Sequence, residues 1–359
     1  MAQSVTNSRG CFNTLAQSET AHLQKPVLIV NGNGAELSDS NGLKRKAKRK
    51  VITQSVVISM IDIEKENGNT EMEKSLWNTY HCQNKIHSAN GKIYGKYCKN
   101  RFCTLCSSIR KASLINKYLP IVKTWEKPYF VTLTARAISL KSLKRRMSDM
   151  NRGFRLISSK LRKQHQRGKG IKLVGLKSLE CNFNPTAKTY NPHLHLLVAN
   201  KEMAELLIKE WLLKCANHNG KNWAEKWAQN MKPVNNTESA LIEIIKYSSK
   251  IFTDPTENKK NKENKNNTTT QQEIYVKAYG NILKSMQGLR IFDRFGFNVS
   301  KENDSNEVNS KVVKDYEEWV FDAKQFDWIN TANDKTLTNY IPTPQLLEIL
   351  HYRSNSNAE

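Results

Sequence analysis

The stretch from Asn191 to Ala199, NPHLHLLVA, constrains the fold more than any other in the chain. Side chains alternate faces along a β-strand, so His193 and His195 point one way while Leu194 and Leu196 point the other. Two imidazoles about 7 Å apart along one sheet face can share a metal ion while the leucines pack the opposite face. The plainer alternative is a half-buried strand with two satisfied histidines. The rest of the chain decides between them.

A length of 359 residues leaves room for one large domain or two modest ones plus tails. A hydrophobic share of 38% and a mean hydropathy of −0.65 are low for a compact chain of this length, which predicts sizeable segments outside the core. The formal charge of +24 and pI near 9.7 point to a polyanionic partner, nucleic acid before membrane. No segment approaches the roughly 18–20 apolar residues that span a bilayer. The first residues lack the charged start and apolar core of a signal peptide. The expectation is a cytoplasmic protein, where structural disulfides are rare and the seven cysteines need another account.

Residues 1–75 read as a flexible basic tail in which Ser, Asn, Gln and Lys dominate. The run 44–50 holds six cations in seven residues, a solvated linker or a mobile arm for phosphate contacts. Asn31 to Glu36 begins like a dinucleotide-binding glycine loop, but Leu37 stands where the third glycine belongs. From residue 76 to 116 the cysteines cluster as Cys82, Cys98, Cys103 and Cys106. A C-x2-C knuckle offers two thiolates to adjacent corners of a zinc tetrahedron, and the earlier pair closes it from a second loop. His81 and His87 are alternative ligands. Lys96, Lys99, Arg101 and Arg110 surround the cluster and favour thiolates. Cys11, Cys181 and Cys215 have no such partners and read as small apolar residues.

Downstream, 107–122 reads as a helix and 129–134 as a strand of alternating β-branched and aromatic residues. Residues 141–172 carry twelve Lys or Arg against one acid, Asp149. Leu143, Met147, Met150, Phe154, Ile157 and Leu161 recur there at helical spacing. Such a helix buries its apolar stripe and shows a basic face to a phosphate backbone, with Lys144, Arg145, Arg146, Arg152 and Arg155 as candidate DNA contacts. A strand over 171–183 ends near Glu180, and the His193 strand returns as its hairpin partner. Helices are expected over 203–216, around Trp223 and Trp227, and over 237–252. Residues 256–273, without an apolar side chain, read as a disordered insertion. Structure resumes at Ile274, centred on Gly288 to Gly296, where Arg290 and Arg294 are further candidate DNA contacts. Residues 301–359 form a C-terminal appendage of open role.

On the 240–252 helix, Glu243, Lys246, Tyr247 and Lys250 fall at i, i+3, i+4 and i+7, on one face. Taken alone this is a solvent-exposed polar face. Beside a metal-capable histidine pair in a basic chain it suggests chemistry. A tyrosine with a pKa near 10 is a poor nucleophile at neutral pH, and neighbouring ammonium groups stabilise its phenolate. A divalent ion on the histidines polarises a phosphate oxygen. These parts together suit transesterification of a DNA strand onto Tyr247.

Three motifs, in order, carry a family resemblance: Phe130-Val-Thr-Leu-Thr134, His193-Leu-His195, and Glu243-x-x-Lys-Tyr247-x-x-Lys250. With Cys98-x4-Cys103-x2-Cys106 and the Gly288 to Gly296 segment, they resemble the plasmid rolling-circle replication initiators of the HUH endonuclease superfamily, single-tyrosine branch. The likeness covers about residues 76–300. It implies an α+β fold, a five-stranded antiparallel HUH-type sheet with flanking helices over 117–300, preceded by the small zinc module. It also implies a carboxylate from an adjacent strand as the remaining metal ligand, for which Glu180 is the candidate, and Mg²⁺ or Mn²⁺ as the ion. The implied activity is metal-dependent nicking and closing at a double-strand origin through a 5′-phosphotyrosyl link at Tyr247. Glu243 then activates water at termination, and Lys246 or Lys250 steadies the developing charge. Origin DNA, a host helicase and a host DNA polymerase are the implied partners. A conjugative relaxase or transposase of the same superfamily, or a non-enzymatic zinc-containing DNA-binding regulator, are the alternatives.

Overall fold

A computed structural model of the protein describes residues 28–31, 34–101, 103–216, 222–246, 268–299 and 310–350. The first part of the chain runs β1 (Leu28–Asn31), β2 (Ala35–Glu36), α1 (Ser40–Glu66), α2 (Thr70–Tyr80), β3 (Lys85–Ala89), β4 (Lys92–Gly95) and α3 (Thr104–Val122). The middle runs β5 (Tyr129–Thr134), α4 (Leu143–Gln166), β6 (Gly175–Asn184), β7 (Thr189–Val198), α5 (Lys201–Cys215), β8 (Asn230–Pro233) and α6 (Thr237–Lys246). Then follow α7 (Thr268–Met286), β9 (Phe292–Phe295), β10 (Ser310–Val313), β11 (Glu317–Asp322), β12 (Asp327–Asn330) and α8 (Pro344–Leu350).

The alternating segment around His193 is β7, paired antiparallel on both sides within a five-stranded sheet of order β8-β5-β7-β6-β9. Leu194, Leu196 and Val198 face one way and are fully buried against the apolar stripe of α4, from Leu143 to Leu161, and against α5. On the other face Phe130, Leu176 and Leu197 pack with Tyr118 and Val122 of α3 and with Leu241, Ile244 and Ile245 of α6. The sheet is therefore covered on both faces by amphipathic helices, as the helical spacing of 143–161 requires. Gly175 allows the edge strand to close: a Cβ there would lie 2.4 Å from the Phe295 ring.

A second five-stranded sheet, of order β12-β11-β3-β4-β2, joins distant parts of the chain. Trp319 stands opposite Ile86, and Glu317 opposite Ser88. The residues expected as a C-terminal appendage thus supply two strands to the sheet that follows the cysteine-rich turn, and β10 pairs with β1. Ile86, Ile93, Trp319, Phe321 and Trp328 form its core with Leu43, Ala47, Val51 and Ile52 of α1.

Three expectations change. Residues 40–66, read as part of a flexible tail, form one helix of 27 residues. Every residue from Lys50 to Ile58 is buried, because α1 lies between the second sheet and a cluster made with α2 and α7 (Leu76, Tyr80, Val276). A helix buried all round shows no single apolar face, so polar residues such as Thr53, Gln54 and Ser55 mask it in the sequence. Residues 268–273 of the expected disordered insertion belong to α7; the remaining residues, 256–267, lie outside the described residues. A helix anchored downstream by Val276, Ala278 and Met286 extends backward at little free-energy penalty per residue. The segment around Trp223 and Trp227 is a loop with one 3₁₀ turn, Lys226–Ala228, instead of a helix, and Trp227 is 86% exposed. Among the described residues no helix is long and apolar enough to cross a membrane.

Truncation after residue 300 should abolish cooperative unfolding of the second sheet, because it uncovers Ile86 and Ile93. Trp328→Ala, at a site with no exposed surface, should destabilise by about 3–5 kcal/mol. Denaturant melts followed by circular dichroism check both, and a fully stable truncation would show that the last strands are dispensable.

Candidate metal centre and active site

The double pairing of β7 sets one register on each side. His193 stands between Thr134 and Glu180, and His195 between Thr132 and Ser178. Cross-strand neighbours share a face, so Thr132, Thr134, His193, His195, Ser178 and Glu180 form one polar patch, continued below by Phe130, Leu197 and Leu176.

Glu180 has no exposed surface, and its Oε2 lies 3.1 Å from His193 Nε2 and 2.8 Å from His195 Nε2. The two rings stand edge to face with centroids 4.8 Å apart. Behind them, His193 Nδ1 is 3.0 Å from the Asn191 carbonyl and His195 Nδ1 is 3.1 Å from Thr132 Oγ1. A carbonyl only accepts, so His193 donates from Nδ1 and a neutral ring turns a lone pair at Nε2 toward the carboxylate. A lone pair facing a carboxylate oxygen calls for a cation between them, either a proton or a metal ion. Two ligands at right angles on an octahedral ion with bonds of about 2.1 Å are about 3.0 Å apart. The observed separations bracket that value, so the two imidazoles and the carboxylate fit a shared divalent ion. Asn191 and Thr132 supply the outer hydrogen bonds that orient metal-binding histidines.

The structure thus brings together the three residues expected as ligands. Of the expected catalytic residues, Glu243 is half-buried on α6. Tyr247, Lys250 and the side chain of Lys246 lie outside the described residues. α6, which ends one residue before Tyr247, packs its Leu241, Ile244 and Ile245 on the sheet face that carries the histidines.

The expected DNA contacts divide. Lys144, Arg145, Arg152 and Arg155 are exposed on α4, which covers the opposite face of the sheet. Arg146 is occupied within the fold: its guanidinium sits 4.4 Å over the Trp223 ring and donates to the Arg136 carbonyl. Arg290 pairs with Asp293 at 3.2 Å. Arg294 stands opposite Leu176 and so lies on the histidine face.

The four cysteines converge as well. Cys82, Cys98, Cys103 and Cys106 place their sulfurs within 4.8 Å of one another, with Cys98–Cys106 at 3.6 Å and Cys82–Cys106 at 3.7 Å. Tetrahedral zinc with bonds of about 2.3 Å has sulfur–sulfur edges of about 3.8 Å. Backbone N–H groups of Cys98, Lys99, Asn100 and Cys106 point at the sulfurs. Hydrogen bonds among the four, Cys103's foremost, hold the Cys98 thiol well below its ordinary range and lower that of Cys106, while the thiols of Cys82 and Cys103 are raised. Neither alternative ligand joins them: His81 contacts Asn84, and His87 lies on β3 beside Glu318. Sequence reasoning missed Lys50. Its Nζ is buried and donates to the carbonyls of Tyr80 (2.6 Å) and Cys82 (2.8 Å), at the foot of the cluster. Burial pushes its ammonium down to about 7, and the neighbouring Cys82 sulfur acts in the opposite direction. One lysine in a run of six cations carries no sequence signal that distinguishes it.

Among curated proteins the chain is similar to Protein rep of Staphylococcus aureus, 32% identical over 178 residues that span 46% of this chain and 72% of the relative. The chain belongs to the Rep protein family. Two further Rep relatives, from a Bacillus species and from Bacillus amyloliquefaciens, are each 28% identical. The chain spans only 52% and 40% of their lengths. No family model and no solved structure matches the chain.

Thr132→Val removes the outer partner of His195 and should weaken Mn²⁺ binding about 10- to 100-fold; calorimetric titration with unchanged affinity would remove Thr132 from the centre. A structural zinc stabilises by on the order of 10 kcal/mol. Cys106→Ser should therefore purify without the metal and with the second sheet unfolded, which elemental analysis and circular dichroism read directly.

Proposed function

We propose that this Rep chain is a plasmid replication initiator that nicks one origin strand by tyrosine transesterification, with an HUH-type sheet as its catalytic platform. One observation carries the reading: a single Glu180 oxygen meets Nε2 of both histidines at 2.8 and 3.1 Å, on the face against which the helix leading to Tyr247 packs. The strongly basic chain and its Rep relatives support a DNA substrate.

In this reading His193, His195 and Glu180 hold Mg²⁺ or Mn²⁺, which when bound polarises a non-bridging oxygen of the scissile phosphate. Tyr247 attacks that phosphorus through its phenolic oxygen. The P–O3′ bond breaks as the tyrosyl–phosphorus bond forms, and the departing 3′ oxygen takes up a proton to become a free 3′-OH. The phenolic proton passes to solvent or a neighbouring base, and Lys246 or Lys250 stabilises the phenolate. The 5′ end stays covalently on the protein while a host polymerase extends the 3′-OH behind a host helicase. At termination a water attacks the phosphorus of the regenerated nick site. The P–O3′ bond breaks, the departing 3′ oxygen takes up a proton, and Glu243, four residues before the tyrosine, accepts the proton of the water. Zinc on the four cysteines stabilises the second sheet and takes no part in the chemistry.

Tyr247→Phe should lose nicking of a supercoiled origin plasmid by at least about 10³-fold while origin binding stays within about threefold. The measurement is the Mg²⁺-dependent nick together with SDS-stable protein on the 5′ end. A Phe variant that still forms the adduct assigns the nucleophile elsewhere.

A further inference from the structure

Beside the cysteine cluster lies a cavity of about 180 Å³ between α1, α3 and the segments that flank the metal ligands. Gln83 follows Cys82, Tyr97 precedes Cys98, and Leu105 precedes Cys106; all three line it. Lys46 and Arg49 of α1 bring two cations to the wall, which also carries two carboxylates, Glu36 and Asp39, paired with Lys92 and Arg45. Among the described residues no carboxylate pairs with Lys46 or Arg49.

Gln83 is unusual in three respects at once. It is 2% exposed, its backbone adopts a left-handed φ of +57°, and neither Nε2 nor Oε1 of its carboxamide has a partner at ordinary hydrogen-bond distance. A loose side-chain hydrogen bond links the carboxamide to the Tyr97 hydroxyl, and no other partner reaches its buried donor and acceptor. Buried amides are almost always paired, and left-handed backbone is ordinarily left to glycine or asparagine. Glycine at position 95 makes room for the carboxamide: a Cβ there would lie 3.1 Å from Gln83 Nε2. The Gln83 carbonyl accepts from Trp328 Nε1 at 2.7 Å, which fixes the backbone in place. Such a concentration of unfavourable features marks a binding site more than a packing position.

We propose that this cavity binds one unpaired nucleobase of a DNA strand together with its phosphate. A carboxamide presents a donor and an acceptor side by side, the pattern that reads a base edge. The Tyr97 ring, 38% exposed, offers a stacking surface that any base can use. Lys46 and Arg49 suit the phosphate. The volume admits one ring system and no duplex. A phosphorylated peptide would use the cations and leave the carboxamide unpaired. The choice of DNA as the source of the base rests on the replication reading; the cavity itself does not.

The test is fluorescence anisotropy of the full chain with the homodecamers dA10, dC10, dG10 and dT10 and an abasic decamer, at one salt concentration. Wild type should prefer one base over the least favoured by about tenfold or more, as a bidentate base contact allows, with the abasic strand weakest. Gln83→Leu should compress that preference to within about twofold and leave abasic binding unchanged. Tyr97→Ala, at a half-exposed position, should weaken all four homodecamers by a common factor and serves if the buried variant fails to fold. His193→Ala should keep the wild-type preference, so failure of the nicking chemistry and failure of this site are separate results. Equal binding of all five strands by wild type, or undiminished preference in Gln83→Leu, overturns the proposal. Competition by free mononucleotides at the decamer's own affinity overturns the assignment to a strand.

Discussion

The register of β7 against its two neighbours is the constraint on which the candidate centre depends. A one-residue slip on either side would move His193 and His195 into the packed layer under α4 and turn Leu194 and Leu196 toward the polar patch. Burial of three apolar side chains of β7 on one face thereby enforces the position of two imidazoles on the other. Glu180 is aligned by the same device, since β6 pairs with β7 over ten residues. The centre is as rigid as the sheet, and its outer hydrogen bonds come from the same strands, through Thr132 and Asn191.

The second sheet rests on a different balance. Its cysteine cluster would concentrate negative charge in a buried place, and Lys50 sits beneath it with its ammonium bonded to two carbonyls. A buried ammonium is tolerated where opposite charge is near, so α1 and the cysteine loop are electrostatically matched as well as packed together. That match explains why a run of cations that looks like a solvated arm instead lies in the N-terminal half of the longest helix among the described residues.

What the sequence disclosed follows from the range of the interactions involved. The strands around residues 129–134 and 175–198 were legible because alternation is local, and Glu180 was legible because a hairpin partner returns within about a dozen residues. The α4 stripe was legible for the same reason. The cysteine quartet was legible from spacing, although choosing it over His81 and His87 needed coordinates. The second sheet was not legible: pairing of Trp319 with Ile86 joins residues more than two hundred positions apart, and no local pattern announces such a partner. α1 escaped because burial on every side erases its periodicity. Gln83 could not be singled out at all, since an unsatisfied amide is a property of its surroundings.

The second sheet also sets an order of events during synthesis. Every strand of the sheet that bears the histidines has been made by residue 295, so it can close while the chain is still growing. The other sheet has β2, β3 and β4 from the start of the chain but must wait for β11 and β12. Until then Ile86 and Ile93 lack their covering layer, and the strand that follows the cysteine turn has an open edge. Domains emerging from the ribosome usually fold from the N-terminal end first; here the earliest residues to appear are among the last to find their partners. For that interval the unfinished half is the part of the molecule most open to proteolysis and mispairing, and metal captured early by the four cysteines would hold its turn together.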